Sequence, residues 1–150
     1  TRNGKPITQL TFREIFELQS IRDPFNENRI FAVGRYQIIP DTMRDIFPYS
    51  GFSLDDLYSE ENQDLLGLLL IVGTEGYVKR RNLSNYIRGK SDDLREAMLD
   101  FAKEWASLPD PRTGNSYYGS GNRASHTVRE VSQALRDARL DYTGNNSTTI

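Results

Sequence analysis

The residues best suited to chemistry stand together in the segment 32–42, which reads Ala-Val-Gly-Arg-Tyr-Gln-Ile-Ile-Pro-Asp-Thr. Arg35, Tyr36 and Gln37 carry many hydrogen-bonding groups, and each such group buried without a partner costs about 1–3 kcal/mol. A guanidinium, an aromatic ring and an amide side by side are typical of a sugar-binding surface, because the ring covers a pyranose face while the amide binds hydroxyl and acetamido groups. We therefore expect these side chains either to satisfy one another or to line a groove for a polar ligand.

A second candidate region is the segment 110–125, which is rich in Gly, Ser, Asn and Tyr. Loops longer than about 12–15 residues are usually functional or disordered. The adjacent Tyr117 and Tyr118 favour function over disorder, although either ring would also serve to close the core. Trp105 precedes this loop on the apolar stripe of a predicted helix, where an aromatic residue more often belongs to the core than to a binding surface.

Composition excludes several classes of protein. The chain of 150 residues has no cysteine and one histidine, His126, which excludes disulfides and thiolate metal sites and argues against histidine metal sites and Ser-His-Asp triads. We expect no metal and no cofactor. The formal net charge of −2 argues against a nucleic-acid-binding protein. The longest apolar run, 65–72, is too short for a membrane span, and no signal peptide pattern is visible.

The elements that must position these residues are mostly helices. Capping-box patterns begin two of them, at Thr11 and Thr127, and Pro40 favours the start of another. The pattern predicts an α+β, predominantly α-helical single domain over 1–150, with a small β element near residues 29–39. Helices are expected at about 11–20, 40–47, 60–72, 84–87, 91–108 and 127–140. The polar segment 141–150 is predicted to be a mobile tail.

Several motifs occur in an order that resembles a known family. They are Gly-Arg-Tyr-Gln-Ile-Ile at 34–39, Gln-Asp at 63–64 in a leucine-rich helix, Glu-Trp-Ala-Ser-Leu-Pro at 104–109 and Tyr-Gly at 118–119. Together they resemble the lysozyme of phage lambda and its relatives, over roughly 11–139. These relatives are peptidoglycan-cleaving enzymes with a lysozyme-like fold, found in phages, in virion proteins and among secreted bacterial toxins.

The resemblance implies cleavage of the β-1,4 bond between N-acetylmuramic acid and N-acetylglucosamine, by the lytic transglycosylase route. One glutamic acid protonates the leaving oxygen, and the muramyl 6-hydroxyl attacks in place of water, so that no second carboxylate is needed. The substrate-binding residues implied by position are Arg35, Tyr36, Gln37, Trp105, Tyr117 and Tyr118. Among these, Trp105 would mainly support the wall of the groove, and Tyr118 would close it.

The position of the catalytic glutamate departs from the family pattern. In the family it lies on the first helix, in a Glu-Gly or Glu-Ser context, some tens of residues before the motif, whereas only 33 residues precede Gly34. Glu14 is expected to complete a capping box, and Glu17 falls opposite the apolar face of its helix. Three explanations stay open: the catalytic helix lies upstream of Thr1, Glu17 is the general acid on a goose-type register, or the chain binds glycan without cutting it. We expect Glu104 to pair with a lysine.

The expected function is therefore a peptidoglycan glycosidase acting in the periplasm or cell wall, either phage-derived or secreted. Its expected partners are peptidoglycan glycan strands and, for a toxin, an inhibitor or immunity protein. The alternatives are a non-catalytic module that binds peptidoglycan or a partner protein, and a structural component of a virion. Nucleic acid and membrane-spanning roles are not expected.

Overall fold

The computed structural model describes residues 4–119 and 121–147, and this part of the chain is predominantly helical, as the sequence predicts. The chain forms two compact units, the first ending at Leu70 and the second beginning at Ile71. The assignment of 1–150 to a single domain stays a prediction. In chain order the helices are α1 (Phe12–Gln19), α2 (Pro40–Ile46), α3 (Glu60–Ile71), α4 (Arg81–Ile87), α5 (Leu94–Glu104) and α6 (Val128–Ser147). Short 3-10 helices occupy Ile7–Gln9 and Phe47–Tyr49.

The start of α1 confirms the capping box predicted from the sequence. The Thr11 side chain accepts a hydrogen bond from the Glu14 backbone N–H at 3.2 Å, and the Glu14 carboxylate accepts from the Thr11 N–H at 3.1 Å. The Phe12 N–H, which has no partner within the helix, donates to the Asp56 carbonyl at 3.0 Å. Glu14 therefore has the structural role that the sequence predicts.

An aromatic cluster centred on Phe12 forms the core of the first unit. The Phe12 ring lies 5.2 Å from Phe47, 5.1 Å from Phe52 and 5.5 Å from Tyr58, measured between ring centroids. Phe12 and Tyr58 are completely buried. This core packs α1 against the segment that leads into α3, and it places Tyr58 directly below the 32–42 segment singled out above.

The small β element predicted near residues 29–39 is a single antiparallel bridge between Val33 and Ile38. Both residues are buried. The Gln19 side-chain amide, at the end of α1, donates to the carbonyls of Phe31 at 2.8 Å and Ile38 at 2.9 Å. The Ile38 carbonyl also accepts the bridge hydrogen bond from the Val33 N–H, so Gln19 ties the end of α1 to the bridge.

The second unit is built from α4, α5 and α6 around one buried cluster. Its members are Val72, Leu83, Tyr86, Ile87, Ala97, Met98, Val131 and Leu135. The helix predicted from 84 begins three residues earlier, at Arg81, because the buried Asp100 carboxylate accepts a hydrogen bond from the Leu83 N–H at 3.1 Å and so caps the first turn.

Two further features of this unit bear on the sequence predictions. Glu104 pairs with Lys79 at 2.9 Å, as predicted, and also with Arg80 at 3.3 Å. The helix α6 continues to Ser147, beyond the end at about 140 that the sequence predicts, and the mobility of the segment 141–150 stays a prediction. Tyr142 packs against the buried cluster, which gives that segment a reason to stay helical. Residues 148–150 lie outside the described residues.

Across the described ranges, no helix combines the length and the hydrophobicity that crossing a bilayer requires. In the same ranges, no group of three or more histidine, aspartate or glutamate side chains is arranged to hold a metal ion.

Candidate functional site

The segment singled out by its residue types forms a tight loop closed by the Val33–Ile38 bridge. The two residues exchange backbone hydrogen bonds, each 3.1 Å long. Gly34 opens the loop at φ +77° and Gln37 closes it at φ +49°. Among the described residues, Gln37 is the one non-glycine with a positive φ, a conformation that side chains other than Gly, Asn and Asp adopt rarely. Such strain is found preferentially at binding and catalytic sites, and it persists where neighbouring groups hold the backbone in place.

The floor of this loop is made by two buried side chains, Gln63 and Tyr58. Gln63, which is 3% exposed, accepts a hydrogen bond from the Arg35 backbone N–H at 2.9 Å and donates to the Tyr58 carbonyl at 3.0 Å. The Tyr58 hydroxyl donates to the Val33 carbonyl at 3.2 Å. A Cβ on Gly34 would collide with Gln63 Oε1 and lie 2.9 Å from Tyr58 Cε1, so both the space and the φ require glycine.

The loop also holds itself together through Gln37. The Gln37 side-chain amide donates to the Gly34 carbonyl at 2.7 Å, and the Gln37 backbone N–H donates to the same oxygen at 3.2 Å. The positive φ is therefore stabilised from within the loop, while the floor stabilises it from below. The backbone of 34–37 is thus fixed before any ligand arrives, and a fixed loop loses little conformational entropy on binding.

Tyr36 turns away from the loop mouth and packs on α3. A Cβ on Gly67 would lie 2.5 Å from Tyr36 Cε1, so the ring occupies the space that the glycine leaves open. The Tyr36 hydroxyl donates to Asp64 Oδ1 at 2.9 Å, and Arg35 lies 3.2 Å from the same oxygen. Burial is the main cause that raises the pKa of the Tyr36 phenol, and the hydrogen bond to Asp64 adds to it.

A pocket of about 400 Å³ opens beside the loop. Its volume falls within the range of small-molecule sites. Its lining residues are Ile7, Thr8, Gly34, Arg35, Gln37, Glu60 and Gln63. Of the six residues predicted to bind substrate, Arg35 and Gln37 are brought together here, whereas Tyr36 is absent from the lining. The pocket combines a hydroxyl, an amide, a guanidinium and a carboxylate with one apolar wall, which suits a neutral polar ligand.

Glu17 lies on a different cleft of the same unit. It is exposed, as the helical pattern predicts, and it lines a cleft of about 690 Å³. The other lining residues are Arg13, Phe16, Ser20, Arg44, Phe47, Pro48 and Leu54. This cleft and the loop pocket share no lining residue. Gln19, two positions further along α1, faces the loop, and positions two apart on a helix point to nearly opposite sides.

The other aromatic residues predicted to bind substrate, Trp105, Tyr117 and Tyr118, lie in the second unit. Tyr117 is 41% exposed and Tyr118 is 51% exposed, and their rings form an edge-to-face pair with centroids 5.2 Å apart. The Lys103 ammonium lies 5.7 Å from the Tyr117 ring centroid. Trp105 follows α5 as its C-cap residue, with an extended backbone, and its ring packs edge-to-face on Phe101 at 5.4 Å. The tyrosines are thus presented to solvent, while Trp105 has a supporting contact within its own unit.

The loop that carries these tyrosines is organised by Asp110, which is 4% exposed. Its carboxylate accepts hydrogen bonds from Arg112 Nε at 3.0 Å and Nη2 at 2.8 Å. Hydrogen bonding to the Arg112 side chain is the main cause that holds the pKa of the Asp110 carboxyl below its ordinary value. A bridge between Pro109 and Ser116 closes the loop.

The residues of the loop pocket that were not predicted as site residues include Gln63 and Glu60. Gln63 belongs to the Gln-Asp motif at 63–64, but nothing in its local sequence shows that its amide is buried beneath a loop 28 residues earlier. Glu60 looks like an ordinary acidic residue in the first turn of a helix. The one sequence feature that pointed to either was the Gln-Asp motif itself.

No family model matches this chain, and no curated protein or solved structure is significantly similar to it.

Proposed function

We propose that this protein acts on the glycan strands of bacterial peptidoglycan and cleaves the β-1,4 bond between N-acetylmuramic acid and N-acetylglucosamine. The observation that carries the proposal is the rigid loop 34–37, with its strained Gln37, at the mouth of a polar pocket. Its substrate is in the bacterial cell wall, so we propose that the protein acts there.

The groups around the pocket fit a sugar better than they fit a strongly charged ligand. The Arg35 guanidinium is paired with Asp64, so that its charge is largely balanced. The remaining polar groups, on Thr8, Gln37 and Glu60, offer both donors and acceptors. Hydroxyl and acetamido groups need both kinds of partner.

In this proposal a glutamic acid protonates the leaving oxygen of the glycosidic bond. The muramyl 6-hydroxyl then attacks the anomeric carbon and gives its proton to the glutamate, which the first step left ionised, and the product is a 1,6-anhydro sugar. Glu17 is the candidate for the acid, because its cleft has apolar walls formed by Phe16 and Phe47 and is large enough to hold a sugar.

The direct test uses purified protein and dye-labelled peptidoglycan, with mass spectrometry of the soluble products. Anhydro-muropeptides are expected from the wild type. Glu17→Gln is expected to lower the rate by at least about a hundredfold, as for loss of a general acid, whereas the exposed Glu27→Gln should retain it. A wild-type rate in Glu17→Gln would show that Glu17 is not the acid.

Gln37→Asn tests the loop pocket separately. Asn tolerates a positive φ but is one methylene shorter, so the amide withdraws from the pocket and from the Gly34 carbonyl, while the backbone N–H of residue 37 keeps its bond to that oxygen. We expect about a tenfold loss of clearing from one weakened polar contact, with an unchanged circular dichroism spectrum. Gln133→Asn, on the exposed face of α6, is the matched control.

A second candidate function is binding of peptidoglycan without cleavage. It is favoured by one observation, that Glu17 lines a cleft with no residue in common with the loop pocket. Cosedimentation of the wild type with insoluble peptidoglycan, without release of soluble products over long incubation, would support this candidate over the first.

A further inference from the structure

Glu60 is the first residue of α3. Glu60 and Gln63 stand three positions apart, so they share one face of the helix. Gln63 is buried below the loop and binds the Arg35 N–H, which shows that this face is turned toward the loop. Glu60 lies one turn nearer the start of the helix, is exposed, and lines the same pocket.

The carboxylate of Glu60 differs from the other carboxylate close to the loop. Asp64 accepts the Tyr36 hydroxyl and pairs with Arg35. Glu60 makes no side-chain hydrogen bond or ion pair with any residue in 4–119 or 121–147. An ionised carboxylate is an acceptor with room for several donors, so Glu60 brings unused acceptor capacity to the pocket.

We propose that Glu60 is a ligand-contacting, specificity-determining residue of the loop pocket, where its carboxylate accepts hydrogen bonds from a hydroxyl or the acetamido N–H of an N-acetylhexosamine. This inference rests on the proposed function and adds the contact that selects for ligands rich in hydrogen-bond donors. Gln37 and Arg35 line the same pocket and carry donors. A sugar ring that offers both donors and acceptors would use them together with the carboxylate.

The competing explanation for Glu60 is purely structural. An acidic residue in the first turn of a helix is stabilised by the helix dipole. Glu61 has the same advantage, since it is also exposed and in the first turn of α3, but it does not line the pocket. Glu61→Gln therefore reproduces the helix effect of Glu60→Gln without touching the pocket.

The experiment measures cosedimentation of each variant with purified insoluble peptidoglycan on ice, together with thermal unfolding. Bonds to charged groups are roughly twice as strong as neutral ones. We therefore expect about a three- to tenfold weaker affinity for Glu60→Gln and about ten- to a hundredfold for Glu60→Ala. Glu61→Gln should bind as the wild type does, and the two Gln variants should unfold at similar temperatures.

The outcomes separate this inference from the proposed function. If the wild type binds and Glu60→Gln binds equally well, or if Glu61→Gln loses as much affinity as Glu60→Gln, the role of Glu60 is overturned and the proposed function stands. If the wild type neither binds nor cleaves peptidoglycan, the proposed function fails and this inference fails with it.

Discussion

Two loops in this protein are each closed by a single antiparallel bridge, and they are held in different ways. The loop closed by Val33 and Ile38 is held by neutral groups, the buried amide of Gln63 from outside it and the amide of Gln37 from within. The loop closed by Pro109 and Ser116 is organised by a charged residue of its own.

That residue is Asp110. Its carbonyl accepts hydrogen bonds from the N–H groups of Thr113 at 3.1 Å and Gly114 at 2.8 Å, and its carboxylate holds Arg112. The stability of a loop held by distant, buried, uncharged groups depends on how closely those groups pack. The stability of a loop held by a local ion pair depends on the charge of its partners, and hence on pH. The difference predicts which change will destabilise each loop.

The largest expected difference comes from placing alanine at a glycine of each loop. Gly34→Ala should lower the free energy of unfolding by about 2–5 kcal/mol, the sum of a left-handed backbone penalty and the collision with Gln63 and Tyr58. Gly114→Ala, at φ +78° with no atom within 4 Å of the added Cβ, should lower it by only about 1–2 kcal/mol. Chemical denaturation of both variants measures the difference.

Because the two glycines have almost the same φ, the comparison isolates the effect of space. Equal losses in the two variants would mean that the floor of the first loop yields easily, and the contrast between the loops would then be wrong. Unchanged binding of peptidoglycan by a folded Gly34→Ala would separately count against the loop as the binding surface.

Removing the buried amide of Gln63 is expected to lower the free energy of unfolding by a smaller amount. Gln63→Ala leaves the Arg35 N–H and the Tyr58 carbonyl without their partner, which should cost about 1–3 kcal/mol. Hydrogen exchange at the Arg35 amide should accelerate in this variant, whereas exchange at Gly114 should not change. Gln133→Ala, which removes an exposed amide, serves as the control, and an equal loss of stability there would contradict the assigned role of Gln63.

Local sequence chemistry predicted the parts of this fold that depend on neighbours along the chain. The capping boxes at Thr11 and Thr127 are both present, since each needs only a residue three positions away. The extent of α6 was not predicted. Its last turns are polar in sequence, and only the packing of Tyr142 on the buried cluster shows why they stay helical.

The candidate site, too, was predicted only in the part that depends on local sequence. Residue types alone pointed to the loop around Arg35 and Gln37, because polar groups next to a buried segment need partners. They did not show that Tyr36 would fill the space over Gly67, or that Glu60 would reach the pocket. Both facts depend on how α3 packs under the loop, and this packing has no local signature.

The smallest predicted effect is the response of the two loops to acid. Since the pKa of Asp110 is lowered in the folded state, its stabilising contribution is present above the unfolded value of about 3.9 and is lost as the pH falls through the lower folded value. Between about pH 5 and pH 2 we expect faster hydrogen exchange at Arg112 and Gly114, after correction for the intrinsic rates.

Exchange at Arg35 should stay constant, because its N–H is bonded to an uncharged amide. Asp110→Asn should remove the pH dependence of the second loop, and an acid response of equal size at Arg35 would show that charge holds both loops.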